Sequence, residues 1–299
     1  MAASLSLPHA LLAIAVAAVW GTNFVVIRLG LDDLPPLLFA TLRFSFALLP
    51  AVFFLKRPQV PWRRLASYGV AIGAGQFGLL FIAMNGHISP GLASLVVQSQ
   101  VFFTIALSMR ETGERVRSFQ WLAVAMAASG LLLIALHGGG DATPLGLGLV
   151  LLAALAWACG NTVARRDPGV NMLAYVVWSS LFAVPPLLAL SLLIEGPAAI
   201  GAGLARSDLG TFAAVLWQSV GNSLFGYAAW GWLLGRYPAA TVAPMSLLVP
   251  VFGMAASALW LGESLPPWKL AAAGLIIAGL ALNLLWPRLA NRLGWAAPD

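Results

Sequence analysis

The chain has 299 residues, of which 61% are hydrophobic and only 9% are charged. A soluble domain carries about 25% charged residues, so this composition excludes a water-facing globular fold and points to a chain dissolved in lipid. The formal charge of +6 does not mark a nucleic-acid surface, because the basic residues fall in short clusters between apolar runs rather than along one stripe. No nucleic-acid partner is expected.

A spanning helix needs about 20 mostly apolar residues to cross about 30 Å of hydrocarbon. Apolar runs bounded by Pro, Gly and charge predict ten such helices. In chain order they lie near 10–27, 37–55, 65–85, 91–109 and 119–136, then near 147–164, 172–193, 211–233, 239–260 and 267–286. The first run has small residues where a signal peptide would be cleaved, but no Lys or Arg precedes it and a later segment echoes it, so it reads as a span. The longest connection, roughly from Glu195 to Gly210, has room for a short interfacial helix. Cys159, the single cysteine, lies inside an apolar run, and His9, His87 and His137 fall near predicted helix ends. Neither a disulfide nor a metal or other cofactor is expected.

Cytoplasmic loops retain Lys and Arg. Lys56, Arg57, Arg63, Arg64, Arg110, Arg115, Arg117, Arg165, Arg166, Arg236, Arg288 and Arg292 fall on one side of the predicted bundle; Arg28, Arg206 and Lys269 fall on the other. Twelve against three, with an even number of spans, predicts that both termini are cytoplasmic. Arg43, the remaining basic residue, lies inside the second span.

The chain repeats itself. "GERVRSFQWLAVAMAASGLLL" leads into the fifth span and "GESLPPWKLAAAGLIIAGLAL" into the tenth, with Gly113, Glu114 and Gly130 each 149 residues before Gly262, Glu263 and Gly279. "WGTNFVVIR" echoes "WACGNTVAR", with Trp20 and Arg28 each 137 residues before Trp157 and Arg165. Five spans per repeat is odd, so the second copy enters the membrane from the opposite side. The expected fold is an all-α polytopic membrane protein of ten transmembrane helices in two inverted five-helix repeats, 1–138 and 139–299. Inverted repeats are the usual build of secondary transporters, with the binding site near the midplane between the halves and alternating access around it. A membrane-embedded enzyme would need a clustered catalytic set, and a channel a filter or charged ring; neither pattern is present.

The segments "VWGTNFVVIRLGL", "LPPLLFATLRF", "GLASLVVQSQVFFTI", "AWACGNTVARR", "VVWSSL", "GYAAWGWLLGRYPAATVAPMSLLVPVFG" and "GESL" resemble the EamA-type group of the drug/metabolite transporter superfamily over nearly the whole chain. That resemblance implies ten helices in inverted repeats, a bacterial-type inner-membrane location, and outward movement of amino acids or related metabolites of the cysteine and O-acetylserine kind.

A zwitterion inside the membrane needs partners for its ammonium and carboxylate, since an unpaired polar group in hydrocarbon costs several kcal/mol. Amide side chains both donate and accept. Asn23, Gln76, Gln98, Asn161, Gln218 and Asn222 are therefore the candidate substrate-binding residues, with Trp157, Trp178, Tyr227 and Trp230 as an aromatic wall. Each amide also has the competing role of a helix-to-helix hydrogen bond. Arg43 sits about two turns from the outer end, where snorkelling would lower its cost, and it is assigned to packing or gating ahead of substrate contact. Pro244 and Pro250 are expected to interrupt the ninth helix. All ten acidic residues, Asp32, Asp33, Glu111, Glu114, Asp141, Asp167, Glu195, Asp208, Glu263 and Asp299, fall in loops or at helix ends. With no buried carboxylate expected, facilitated export is favoured over a proton relay. The partners implied are a small-molecule substrate and the bilayer, and a monomer suffices.

Overall fold

A computed structural model describes residues 5–112 and 118–292. They are helical, apart from connecting turns and one isolated bridge between Ile88 and Ala142. The long helices are α1 Leu7–Gly30, α2 Pro36–Phe54, α3 Trp62–Met84, α4 Pro90–Arg110, α5 Ser118–His137, α6 Pro144–Ala164, α7 Met172–Leu190, α8 209–236, α9 Ala243–Leu261 and α10 Pro267–Arg292. Nine of them are long and apolar enough to cross a membrane. The remaining one, α8, is continuous but less apolar, because Gln218, Ser219, Asn222 and Ser223 occupy its middle. After α7 a π-helical turn, Ser191–Glu195, leads into the short helix Gly196–Arg206 in the connection that was expected to carry one.

The helix starts follow from local chemistry. Proline opens α2, α4, α6 and α10, where its missing N–H is no loss and its fixed φ already matches the helix. Asn171 caps α7 and Asp208 caps α8, the latter with a reciprocal capping box to Thr211. At its other end α9 stops at Gly262, whose φ of +67° is left-handed and turns the chain back toward the bundle.

Packing pairs the helices in a regular way. α1 lies on α9 and α6 on α4; α2 lies on α7, and α5 on α10; α3 contacts α6 and α7, while α8 contacts α1 and α2. Exchanging α1–α5 for α6–α10 returns the same set of pairs. Small residues permit the close crossings, as is usual where lipid supplies no hydrophobic drive. Gly69 of α3 faces the Ser179 carbonyl of α7, and Gly253 of α9 faces the Ser94 side chain of α4, both too closely to admit a Cβ.

The irregular segments also fall in corresponding helices. α3 is π-helical over Ala71–Gly78 and α8 over Trp217–Phe225. α4 tightens to a 3₁₀ turn at Val97–Ser99, and α9 does so at Ala243–Leu247. Pro244 lies in that 3₁₀ segment, but Pro250 does not interrupt α9 as expected: it sits in the first turn of the α-helical part that begins at Leu248, where an absent N–H is tolerated.

Candidate functional site

The polar residues of α8 alternate in adjacent pairs, Gln218-Ser219 and Asn222-Ser223, one turn apart, so a single face of this helix carries four buried polar side chains. The serines bind α2. Ser219 Oγ donates to the Arg43 carbonyl at 3.0 Å and also to Val215. Ser223 Oγ accepts from Arg43 Nη2 at 3.2 Å and donates to the Gln218 carbonyl.

Arg43 departs from its expected position. Its side chain does not snorkel toward the outer end but is 1% exposed, with the guanidinium carbon 3.5 Å from the Phe77 ring centroid and 5.3 Å from that of Phe44. The aromatic face and the single serine leave Nε and Nη1 with no protein acceptor. Among the described residues no carboxylate lies within ion-pair distance of it.

Several buried amides of the same helices are similarly unspent. Gln218 is 0% exposed, and neither its Oε1 nor its Nε2 has a protein partner; the same holds for Asn23 Oδ1 and Gln76 Oε1. Leaving a buried polar atom unpaired costs about 1–3 kcal/mol, so each of these groups calls for an explanation beyond packing. Trp20 ties α1 into the cluster: its indole N–H donates to the Asn222 carbonyl at 3.2 Å, and Asn23 follows it by three residues on the same face. Tyr227 and Trp230, 5.8 and 5.2 Å from the Trp20 ring between centroids, supply the aromatic wall. The contacts thus join Trp20, Asn222, Tyr227 and Trp230 between α1 and α8, and Arg43, Phe77, Ser219 and Ser223 between α2, α3 and α8, with the buried amides Asn23, Gln76 and Gln218 on the same helices.

Other expected site residues lie apart from this cluster. Asn161 Nδ2 donates to Gln100 Oε1 at 3.0 Å, an α6–α4 link that Thr104 also joins. Trp178 commits its N–H to the Leu55 carbonyl at 2.9 Å and meets Trp62 edge-on, which anchors the end of α2. Trp157 packs against the main core, and Gln98 is buried in the 3₁₀ turn of α4. Sequence reasoning missed Phe77, Ser219 and Ser223. The i, i+4 spacing of the two serines, beside the equally spaced Gln218 and Asn222, was the available signal.

The absence of buried carboxylates is also corrected. The Glu263 side chain is 7% exposed. Its Oε1 accepts from Ser89 Oγ at 2.6 Å and from Lys269 Nζ at 2.9 Å; its Oε2 accepts from the Gly91 N–H at 3.0 Å and from Ser257 Oγ. Burial pushes this carboxyl up, but the hydrogen bonds from Ser257, Ser89, Lys269 and Gly91 outweigh it and hold it below its ordinary value. Lys269, expected as a loop charge, is 0% exposed and also pairs with Asp141 at 2.8 Å. Glu195 accepts from the Leu37 and Leu38 N–H groups at 2.5 and 3.0 Å and from Ser191 Oγ at 2.6 Å. Both carboxylates pin helix ends. Glu114, the repeat counterpart of Glu263, lies outside the described residues.

Long apolar helices around buried, incompletely paired polar groups are the build of a multi-pass membrane protein. The model of the EamA-like transporter family matches residues 7–136 and again 144–285, and the chain belongs to that family. It is 44% identical over 279 residues to a probable amino-acid metabolite efflux pump of Salmonella typhimurium (strain LT2), covering 91% of this chain and 93% of the relative. It is 27% identical to the uncharacterized inner membrane transporter YedA of Escherichia coli (strain K12), covering 89% of this chain and 87% of the relative. A solved crystal structure at 19% identity superposes with a TM-score of 0.64 over 96% of this chain and 98% of that one, which is a likeness of fold. The chain is a multi-pass protein of the bacterial inner membrane.

Proposed function

We propose that the protein exports amino acids and related metabolites, of the cysteine and O-acetylserine type and extending to threonine, methionine and aromatic amino acids. It does so by alternating access between two inverted halves, 1–138 and 139–299, that together cross the membrane ten times with both termini in the cytoplasm. The observation that carries this reading is the cluster of buried polar atoms without protein partners on Asn23, Arg43, Gln76 and Gln218, whose mixture of donors and acceptors matches a zwitterion. The helix pairing that survives exchange of the two halves supports the repeat, as does the twofold match of the family model. The Salmonella relative's name supports the substrate class.

Threading is supported by links at the two ends of the bundle. Arg64 pairs with Asp167 and His9 with Tyr237 at one end; Arg206 reaches the Asp33 carbonyl and Thr211 the Asp33 carboxylate at the other. Purified protein in liposomes is expected to show saturable counterflow of radiolabelled amino acids. Absence of counterflow for cysteine, threonine, methionine and the aromatic amino acids would overturn the reading.

A further inference from the structure

We propose that Arg43 is the anchor for the substrate's carboxylate, and that this fixed, unneutralised cation selects substrates bearing one free carboxylate while rejecting amines that lack it. This deepens the exporter reading and rests on it. The guanidinium is 1% exposed, and its flat face is occupied by the Phe77 ring at 3.5 Å. Its N–H donors lie in the plane of the group and point away from that ring. Of the three nitrogens only Nη2 is bonded, to Ser223; Nε and Nη1 have no protein acceptor.

Among the described residues no carboxylate pairs with this arginine. Glu195, in the turn after α7, spends its oxygens on Leu37 and Leu38 at the start of α2 and on Ser191. Glu263 spends its oxygens on Ser89, Gly91, Ser257 and Lys269. A buried charge without a counter-ion is among the costliest arrangements in a membrane protein, so the missing anion comes from outside the chain. One free cation calls for one negative charge: a carboxylate balances it, whereas a phosphate dianion would leave an excess in low dielectric. Acceptor oxygens stand free on the amides, Asn23 Oδ1, Gln76 Oε1 and Gln218 Oε1. They accept hydrogen bonds from the α-ammonium, which these neutral amides solvate while the carboxylate faces Arg43. An amine without a carboxylate brings a second positive charge to the site and nothing to pair with the first.

The test uses the full-length purified protein with L-methionine, its methyl ester, the amine formed by removing its carboxyl group, and the 2-oxo acid formed by removing its amine. Ligand-induced thermal stabilisation and inhibition of counterflow are both read. Methionine and the 2-oxo acid are expected to bind at least about tenfold more tightly than the ester and the amine, as for a site built to hydrogen-bond a group the analogue lacks. In Arg43→Gln that ratio collapses to about twofold or less, while Arg43→Lys, which retains the charge, keeps part of it. Equal binding of amine and amino acid by the unmutated protein overturns the anchor and leaves the exporter reading standing. Binding of the 2-oxo acid without methionine supports a carboxylate anchor at Arg43 and removes methionine from the substrates. Binding of none of the four overturns the anchor, as does an undiminished ratio in Arg43→Gln; the exporter reading falls only if counterflow of cysteine, threonine, methionine and the aromatic amino acids is absent as well. If Arg43→Gln does not fold, the four-ligand comparison on the unmutated protein decides.

Discussion

Arg43 of α2 rests on the ring of Phe77, a residue of the π-helical segment of α3, with 3.5 Å between the guanidinium carbon and the ring centroid. A desolvated cation on an aromatic face is worth about 2 kcal/mol. Replacing Phe77 with Leu preserves apolar volume and removes that attraction. The expected result is a loss of about 1–2 kcal/mol in stability, seen as a lower unfolding midpoint in detergent, together with weaker substrate binding.

Lys269 and Glu263 form a buried pair; removing Lys269 leaves Glu263 without its cation, at a cost of about 3–5 kcal/mol, whereas removing Glu263 leaves Lys269 with Asp141 alone. Lys269→Met and Glu263→Gln are each expected to lower thermal stability sharply. The double variant should be more stable than the sum of the single losses implies, because no charge is then stranded at the Glu263–Lys269 contact. An additive result in the double-mutant cycle would show that the two side chains act independently.

The same carboxylate sets an acid limit. Its value in the folded protein lies below the ordinary one, so its contribution is complete above the unfolded value of about 4.3 and is lost as pH falls through the folded value. Between pH 8 and 5 the unfolding temperature should show no step from this group; below about pH 4 it should fall. Glu263→Gln should lose that acid-side decline.

Asn161 and Gln218 are both membrane amides, but they are placed differently. Asn161→Ala removes the bond to Gln100 and should cost about 0.6–2 kcal/mol in stability, with the ranking of substrates unchanged. Gln218→Ala removes two unpartnered buried groups, so stability should hold or rise while counterflow falls. Unfolding midpoints and counterflow rates on the same preparations separate the two roles.

Tight crossings carry a fifth expected outcome. Gly69→Val places a branched side chain against the Ser179 carbonyl, where no Cβ fits, and overpacking of this kind costs about 1–3 kcal/mol or more. Reduced recovery of monodisperse protein from the membrane is the measurement.

The helices were legible because lipid leaves so little choice: apolar runs, opening prolines and caps such as Asp208 locate their ends within a few residues. The Gln218–Asn222 face was legible from its period. What escaped depended on contacts distant in sequence. Arg43 has a depth that can be counted from Pro36, but whether it snorkels or turns inward depends on Phe77 and Ser223, 34 and 180 residues away. Glu263 reads as a loop carboxylate until Ser89 and Gly91, more than 170 residues earlier, close around it. Nor does any local pattern announce that α3 and α8 are overfilled by π turns.

Those π turns have a mechanical consequence. Each holds one residue more than the α turn it replaces, and such a surplus can travel along a helix by exchanging one backbone hydrogen bond at a time, swinging every residue it passes by about 100° around the axis. Gln76 and Gln218 both stand on segments of this kind. The two amides thus stand where these helices are wound most widely.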